Sequence, residues 1–224
     1  MAKAYEEQNT PGTTLPAPLN KRTSDLLKAI ERVSKIKGYL LFKNPGEVNI
    51  WYIEGMNTDC TPNDNAPNKF NDVRLVFSYE DKRPVIRGIW DATTEPGRYW
   101  TLNPMNPKGA ARIKFGQYKA WVTGIYHNYE ALIQSSPITV YRDLNKDFVR
   151  TGDKEDTGMF GVHHHWGYDL SKDDLGTSSA GCLVGRSTKG HKEFMVICKS
   201  DPRWIGNPTF EFTATVIPYK DLNL

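Results

Sequence analysis

The chain has 224 residues, 38% hydrophobic, 25% charged and 12% aromatic, with 18 Gly and 14 Pro. That composition excludes a disordered or collagen-like polymer, and a chain of this length buries roughly 70% of its unfolded surface without disulfides or a structural metal. A net charge of +3 leaves no basic footprint of the kind that nucleic-acid binding needs, and no apolar run is long enough to span a membrane.

Residues 1–22 read as a flexible tail. They are polar, carry Pro11, Pro16 and Pro18, and show no apolar secretory core. The chain is therefore expected to be made in the cytoplasm. Thr23 or Ser24 is a candidate cap for a helix whose apolar positions Leu26, Leu27, Ile30, Val33 and Ile36 recur at helical spacing, with Gly38 ending it. Strand signals follow at 39–42, 48–53, 73–77 and 84–90, with a loop rich in Asn, Asp and Pro over 58–71 and a polar turn at 94–97. Further strands are expected at 112–115, 120–126, 138–142 and 161–166, then a short helix at 192–198 and a last strand at 209–217. The cations between Lys108 and Lys119 read as a solvated strand face. The expected fold is mostly β (α+β): one domain over 23–224, a β-sandwich or barrel with two or three peripheral helices.

Two segments carry chemistry. Gly161-Val162-His163-His164-His165-Trp166-Gly167 holds three of the five histidines, and strand alternation puts His163 and His165 on one face and His164 on the other. Gly176-Thr177-Ser178-Ser179-Ala180-Gly181-Cys182 follows. Small residues there let the backbone turn tightly and leave the sulfur open, and the N–H groups around Gly181 and Cys182 are candidates for holding an oxyanion. A free thiol, with a pKa of about 8.5, needs an imidazole in reach to act as a nucleophile at neutral pH. His163, His164 and His165 lie 19, 18 and 17 positions before Cys182.

A histidine on a strand followed by Ser179-Ala180-Gly181-Cys182 resembles the L,D-transpeptidase (YkuD-like) catalytic domain family, in a divergent Ser-Ala-Gly-Cys branch of bacteria and their phages. Ser179, Gly181 and Cys182 match that family's Ser/Thr-His-Gly-Cys motif, with Ala180 in place of its His and Val184 in place of the Arg or Asn that follows the Cys. The resemblance spans about 84–198. It implies a cysteine peptidase or acyltransferase that acts on peptidoglycan stem peptides through a thioester, without a cofactor, at the cell wall, with a phage-encoded or virion-associated protein as one such setting. It further implies Cys182 as nucleophile, His165 as general base with His163 in support, the Gly181–Cys182 backbone as oxyanion site, and Arg186 holding a substrate carboxylate. Trp166, next to the base, is the aromatic that would wall the cleft.

Two other readings stay open. Loss of the motif histidine at Ala180 suits a non-catalytic wall-binding or phage-particle module. His163 and His165 could also form half of a zinc site, completed by His191 or His127, in a zinc-dependent hydrolase. Cys198, in an apolar helical run, is expected in the core, and Cys60 has no activating neighbour. The segment 143–147 has the opening spacing of a calcium loop, but Phe148 and Lys154 occupy positions where that loop needs Gly and an acid. It reads as an Asx-type turn.

Overall fold

The computed structural model describes residues 20–224. Helix α1 (Lys21–Lys37) is followed by β1 (Asn49–Glu54), β2 (Asp72–Glu80), β3 (Arg83–Thr93), α2 (Arg98–Leu102), β4 (Ala110–Ile113), β5 (Gly116–Tyr126), β6 (Tyr129–Gln134) and β7 (Ile138–Asp143). Then come β8 (Lys154–Gly158), β9 (His164–Trp166), β10 (Leu183–Gly185), α3 (Thr188–Lys199), α4 (Pro202–Gly206), β11 (Phe212–Pro218) and a 3-10 turn at Tyr219–Leu222. Eight strands close into a barrel in the order β1-β11-β5-β6-β9-β10-β3-β2, while β4-β7-β8 form a separate three-stranded sheet. Closure removes the free strand edges that an open sheet would expose. The mostly-β expectation holds as a barrel, with four α-helices among the described residues rather than two or three.

Most neighbours are antiparallel. The exceptions are β1 with β11 and β9 with β10. The second of these matters most: Leu183 pairs with His164 and Val184 with His165, so the segments bearing Cys182 and the histidines run side by side.

Strand β1 is buried along its whole length because both of its faces are covered. Ile50 and Tyr52 face a cluster that includes Val76, Trp121, Leu132, Leu183 and Phe194. Trp51 and Ile53 face a second cluster under α1, where Leu26, Leu27, Ile30 and Val33 are buried. Each such aliphatic contributes roughly 1.5–3 kcal/mol, which is what holds α1 on the barrel. The cap of α1 is Asn20, whose Oδ1 accepts the Thr23 N–H at 3.0 Å, so the helix starts earlier than Thr23 or Ser24 and takes in Lys21 and Arg22. Residues 1–19 of the expected tail lie outside the described residues.

Residues 39–42 are not a strand. Leu40 spends its N–H and C=O on the Gln117 side-chain amide, which takes the place of a ladder partner. The cationic stretch around 108–119 is also not uniformly solvated. Arg112 is fully buried, with Nη1 2.8 Å from Glu95 Oε1 and Nε 3.3 Å from Asp143 Oδ2. Asp143 also accepts the N–H groups of Asp147 and Phe148, giving the expected turn. Through Arg112 and Glu95 the small sheet is fastened to the end of β3.

Candidate active site

A cleft of about 790 Å³ opens between the small sheet and the barrel end where β9 and β10 begin. Cys182, Gly181, His163, His165 and Tyr126 line it from the barrel side, and Ala111 and Arg142 from the small sheet. The backbone of Gly181 has φ +125°, and a Cβ there would lie 2.3 Å from the Ala111 carbonyl oxygen. Only glycine fits that approach, and it seats the Cys loop against β4.

Ser179 is fully buried beneath this loop. Its Oγ lies 2.8 Å from the Glu95 carbonyl and 3.1 Å from the Cys182 carbonyl, and it accepts the Gly181 N–H at 3.2 Å. Its place is thus beneath the loop, as a strut. The Gly181 N–H is already engaged, which corrects its assignment as an oxyanion donor. The Cys182 N–H makes no hydrogen bond among the described residues and remains free to serve. Cys182 Sγ rests 3.4 Å from the Gly161 carbonyl and 3.5 Å from the His163 N–H.

The three histidines divide as alternation implied, although only the last two belong to β9. His164 points into the core, edge-on to Tyr52 and Trp121, with Nδ1 3.2 Å from the Tyr52 hydroxyl. His163 and His165 face the cleft. They differ in tautomer. His163 Nδ1 accepts the Gln134 N–H at 3.0 Å, so its proton sits on Nε2 and the ring is a donor to the cleft. His165 Nδ1 donates to the Trp166 carbonyl at 2.8 Å, leaving the Nε2 lone pair as acceptor. Of the two cleft-facing imidazoles, only His165 has the form of a general base. Tyr126 stacks on its ring at 4.7 Å between centroids, 22° from parallel.

Electrostatically both Cys182 and His165 favour their neutral forms. Burial pushes the Cys182 thiol up to about 11, opposed only by the His163 N–H. Burial likewise takes His165 down to about 4, with the Trp166 carbonyl opposing and Arg74 assisting. A preformed thiolate–imidazolium pair is disfavoured from both sides, so deprotonation must accompany attack. Accordingly, the rate of Cys182 alkylation by iodoacetamide is expected to rise about tenfold per pH unit from pH 7 to 10 and level off only near 11. A rate constant across pH 5–8, read by peptide mass spectrometry, would show a standing thiolate and overturn this picture.

Two proposed site residues are elsewhere. Arg186 is not among the cleft-lining residues: its Nη1 lies 3.1 Å from the Leu170 carbonyl and its Nε 3.5 Å from Asp91. Trp166 stacks on Tyr129, with centroids 3.5 Å apart and planes 12° apart, and does not wall the cleft. A zinc site completed by His191 is not assembled either. His191 spends Nδ1 on Arg74 and Nε2 on the Glu130 carbonyl, and among the described residues no three His, Cys, Asp or Glu side chains converge on a common point. Cys198 is buried in the core as expected, and Cys60 is buried at φ +68° in the loop.

Sequence reading missed Arg142, Tyr126 and Trp100 as cleft residues. Arg142 and Tyr126 sit in strand runs, which carry no signal of which ends meet a catalytic loop. It also missed Arg74, which is fully buried. Its Nε lies 2.6 Å from the Tyr52 hydroxyl, and its Nη2 3.1 Å from both the His165 and Leu183 carbonyls. One guanidinium thus ties together the backbones that carry the base and the nucleophile. Comparison with protein-family models, with curated proteins and with solved structures returned no match.

Proposed function

We propose that the protein is a cysteine-dependent acyl-transfer enzyme that acts on peptidoglycan stem peptides, with an L,D-peptidase or L,D-transpeptidase outcome. The observation that carries the reading is a free thiol and a base-competent imidazole in one cleft: Cys182 and His165 stand on adjacent parallel segments and both line it. The substrate class rests on the likeness of Ser179-Ala180-Gly181-Cys182 to the YkuD-like motif.

In this scheme the Cys182 thiol proton passes to His165 Nε2 as sulfur bonds to the scissile carbonyl carbon. The resulting oxyanion meets the Cys182 N–H. When the C–N bond breaks, the leaving amine takes the proton from the imidazolium, and a thioester to Cys182 remains. Water or a second stem's amine then attacks the thioester, again deprotonated by His165, and the thiol is restored. His163, through its Nε2–H, donates to the substrate or to the developing charge rather than accepting a proton.

Incubation with diaminopimelate-type tetrapeptide muropeptides, wild type beside Cys182→Ala, tests this by mass spectrometry. Loss of the terminal D-alanine or a new dimer in the wild type alone is the expected result. Intact substrate with both folded proteins would remove the L,D reading. A second reading, a wall-binding or particle module without catalysis, is favoured by Ala180, which stands where the resembled motif has its histidine. It requires binding to sacculi to survive alkylation of Cys182 with no product formed.

A further inference from the structure

We propose that Arg142 is the carboxylate-binding residue of the Cys182 cleft and sets its preference for anionic substrates. Arg142 lines the cleft from β7, yet it is only 5% exposed. Its guanidinium lies 4.3 Å over the Phe160 ring, and its Nε donates to Asp156 Oδ2 at 3.0 Å. That is the only hydrogen bond of its side chain among the described residues, and Nη2 is buried with no partner. Nη1 makes no hydrogen bond to the protein and is not buried, so the open end of a permanently charged, otherwise buried group is left to a ligand, and a carboxylate would supply the acceptor it lacks.

The charge is also left over. Asp156 is shared with Lys108, whose Nζ lies 3.3 Å away, so one carboxylate faces two cations. No Asp or Glu lines the cleft, so nothing within it competes for the guanidinium.

Two separate lines of contact place Arg142 near the sulfur. Arg142 pairs directly with Ala111 across β4 and β7, and the Ala111 carbonyl is what Gly181 packs against, one residue before Cys182. From the other side, Phe160 under the guanidinium is followed by Gly161, whose carbonyl touches Sγ. Both residues line the one cleft, so an anion on Arg142 shares that space with the reacting bond. The ligand is accordingly a carboxylate on the substrate beside the scissile carbonyl: either the free carboxylate of the leaving residue or a side-chain carboxylate of the acyl residue. Its identity as a substrate group rests on the acyl-transfer reading above; its affinity for an anion does not.

The test uses Cys182 as a reporter. The full chain is alkylated separately with iodoacetate and iodoacetamide, and each adduct at Cys182 is quantified by peptide mass spectrometry. The ratio of the two rates cancels the thiolate fraction and reports attraction of the anionic reagent alone. The wild-type ratio is expected to exceed that of N-acetylcysteine, to fall about tenfold in Arg142→Gln, and to fall with added salt. Arg142→Lys should lie between. Adducts at Cys198, fully buried in the fold, flag any variant that has opened. A wild-type ratio no higher than that of N-acetylcysteine, or an unchanged ratio in folded Arg142→Gln, overturns the proposal. Stem peptides amidated at one carboxylate or the other then identify the ligand: the amidation that abolishes the difference between wild type and Arg142→Gln marks it. No turnover of any peptide would remove the acyl-transfer reading while the alkylation ratio still decides the anion site.

Discussion

Acidification from pH 7.5 to 5.5 is expected to destabilise the protein by about 1.5–4 kcal/mol, through three buried imidazoles. His164, His165 and His191 are each no more than 1% exposed. Burial lowers all three, with Arg74 adding to it: His165 to about 4, His191 to about 3 and His164 well below the ordinary value. In the unfolded chain each titrates near 6.5. The folded pKa is the lower one, so the unfolded state binds more protons below pH 6.5. Stability is therefore full above that value and declines as pH falls toward the folded pKa. At pH 5.5 each imidazole withholds about 1.4 kcal/mol, roughly 4 kcal/mol together. Asp72 works in the opposite sense. Burial, and then its neighbours Glu54 and Glu95, raise its carboxyl well above the ordinary value, so it returns at most one proton's share. Burial also raises the Glu95 carboxyl and lowers His163, two smaller contributions of opposite sign, and the Asp72 offset sets the lower limit. Urea unfolding at half-unit pH steps measures the slope, and His164→Gln is expected to reduce it by about one proton. A stability flat across this range would refute the buried neutral imidazoles, and with them the neutral Cys182–His165 pair.

Much of the site was legible because it lies in two short runs whose composition is unusual: three consecutive histidines, and small residues before a cysteine. Alternation alone separated His164 from its neighbours, since a period of two follows from strand geometry. What alternation does not encode is the tautomer. That depends on Gln134 and Trp166, one 29 positions from its histidine and the other adjacent to it, and both act through backbone groups. Arg186 was placed wrongly for a related reason. Proximity to Cys182 in sequence suggested the cleft, but β10 carries the chain past the barrel wall to Asp91. Arg142, 40 positions before Cys182, reaches the cleft because a separate sheet packs there. The barrel's closure was equally hidden: β9 and β10 are three residues each, too short to show a period. Short strands like these are held by tertiary contacts rather than by their own pattern.

The largest single-residue effect is expected at Arg74. Arg74→Met should destabilise the fold by about 2–4 kcal/mol and abolish Cys182-dependent activity even where the chain remains folded. The methionine fills a similar volume but leaves the Tyr52 hydroxyl, His191 Nδ1 and the His165 and Leu183 carbonyls without their donor. Each buried group so orphaned costs about 1–3 kcal/mol, offset by release of the desolvated charge. Its hydrogen-bond partners among the described residues are all neutral: the Tyr52 hydroxyl, His191 Nδ1 and the His165 and Leu183 carbonyls. Gly185 records the same constraint, since a Cβ there would come within 2.6 Å of Arg74 Nη1. The variant also couples to the acid response. Arg74 contributes to lowering all three buried imidazoles, so its removal lets them protonate more readily and makes the pH slope shallower. A purely structural filler would shift stability equally at every pH. Urea unfolding of Arg74→Met at pH 7.5 and 5.5 separates the two: a parallel offset from wild type assigns Arg74 to packing alone. A gap that narrows on acidification shows one buried cation holding the base and nucleophile segments together while keeping their imidazoles neutral.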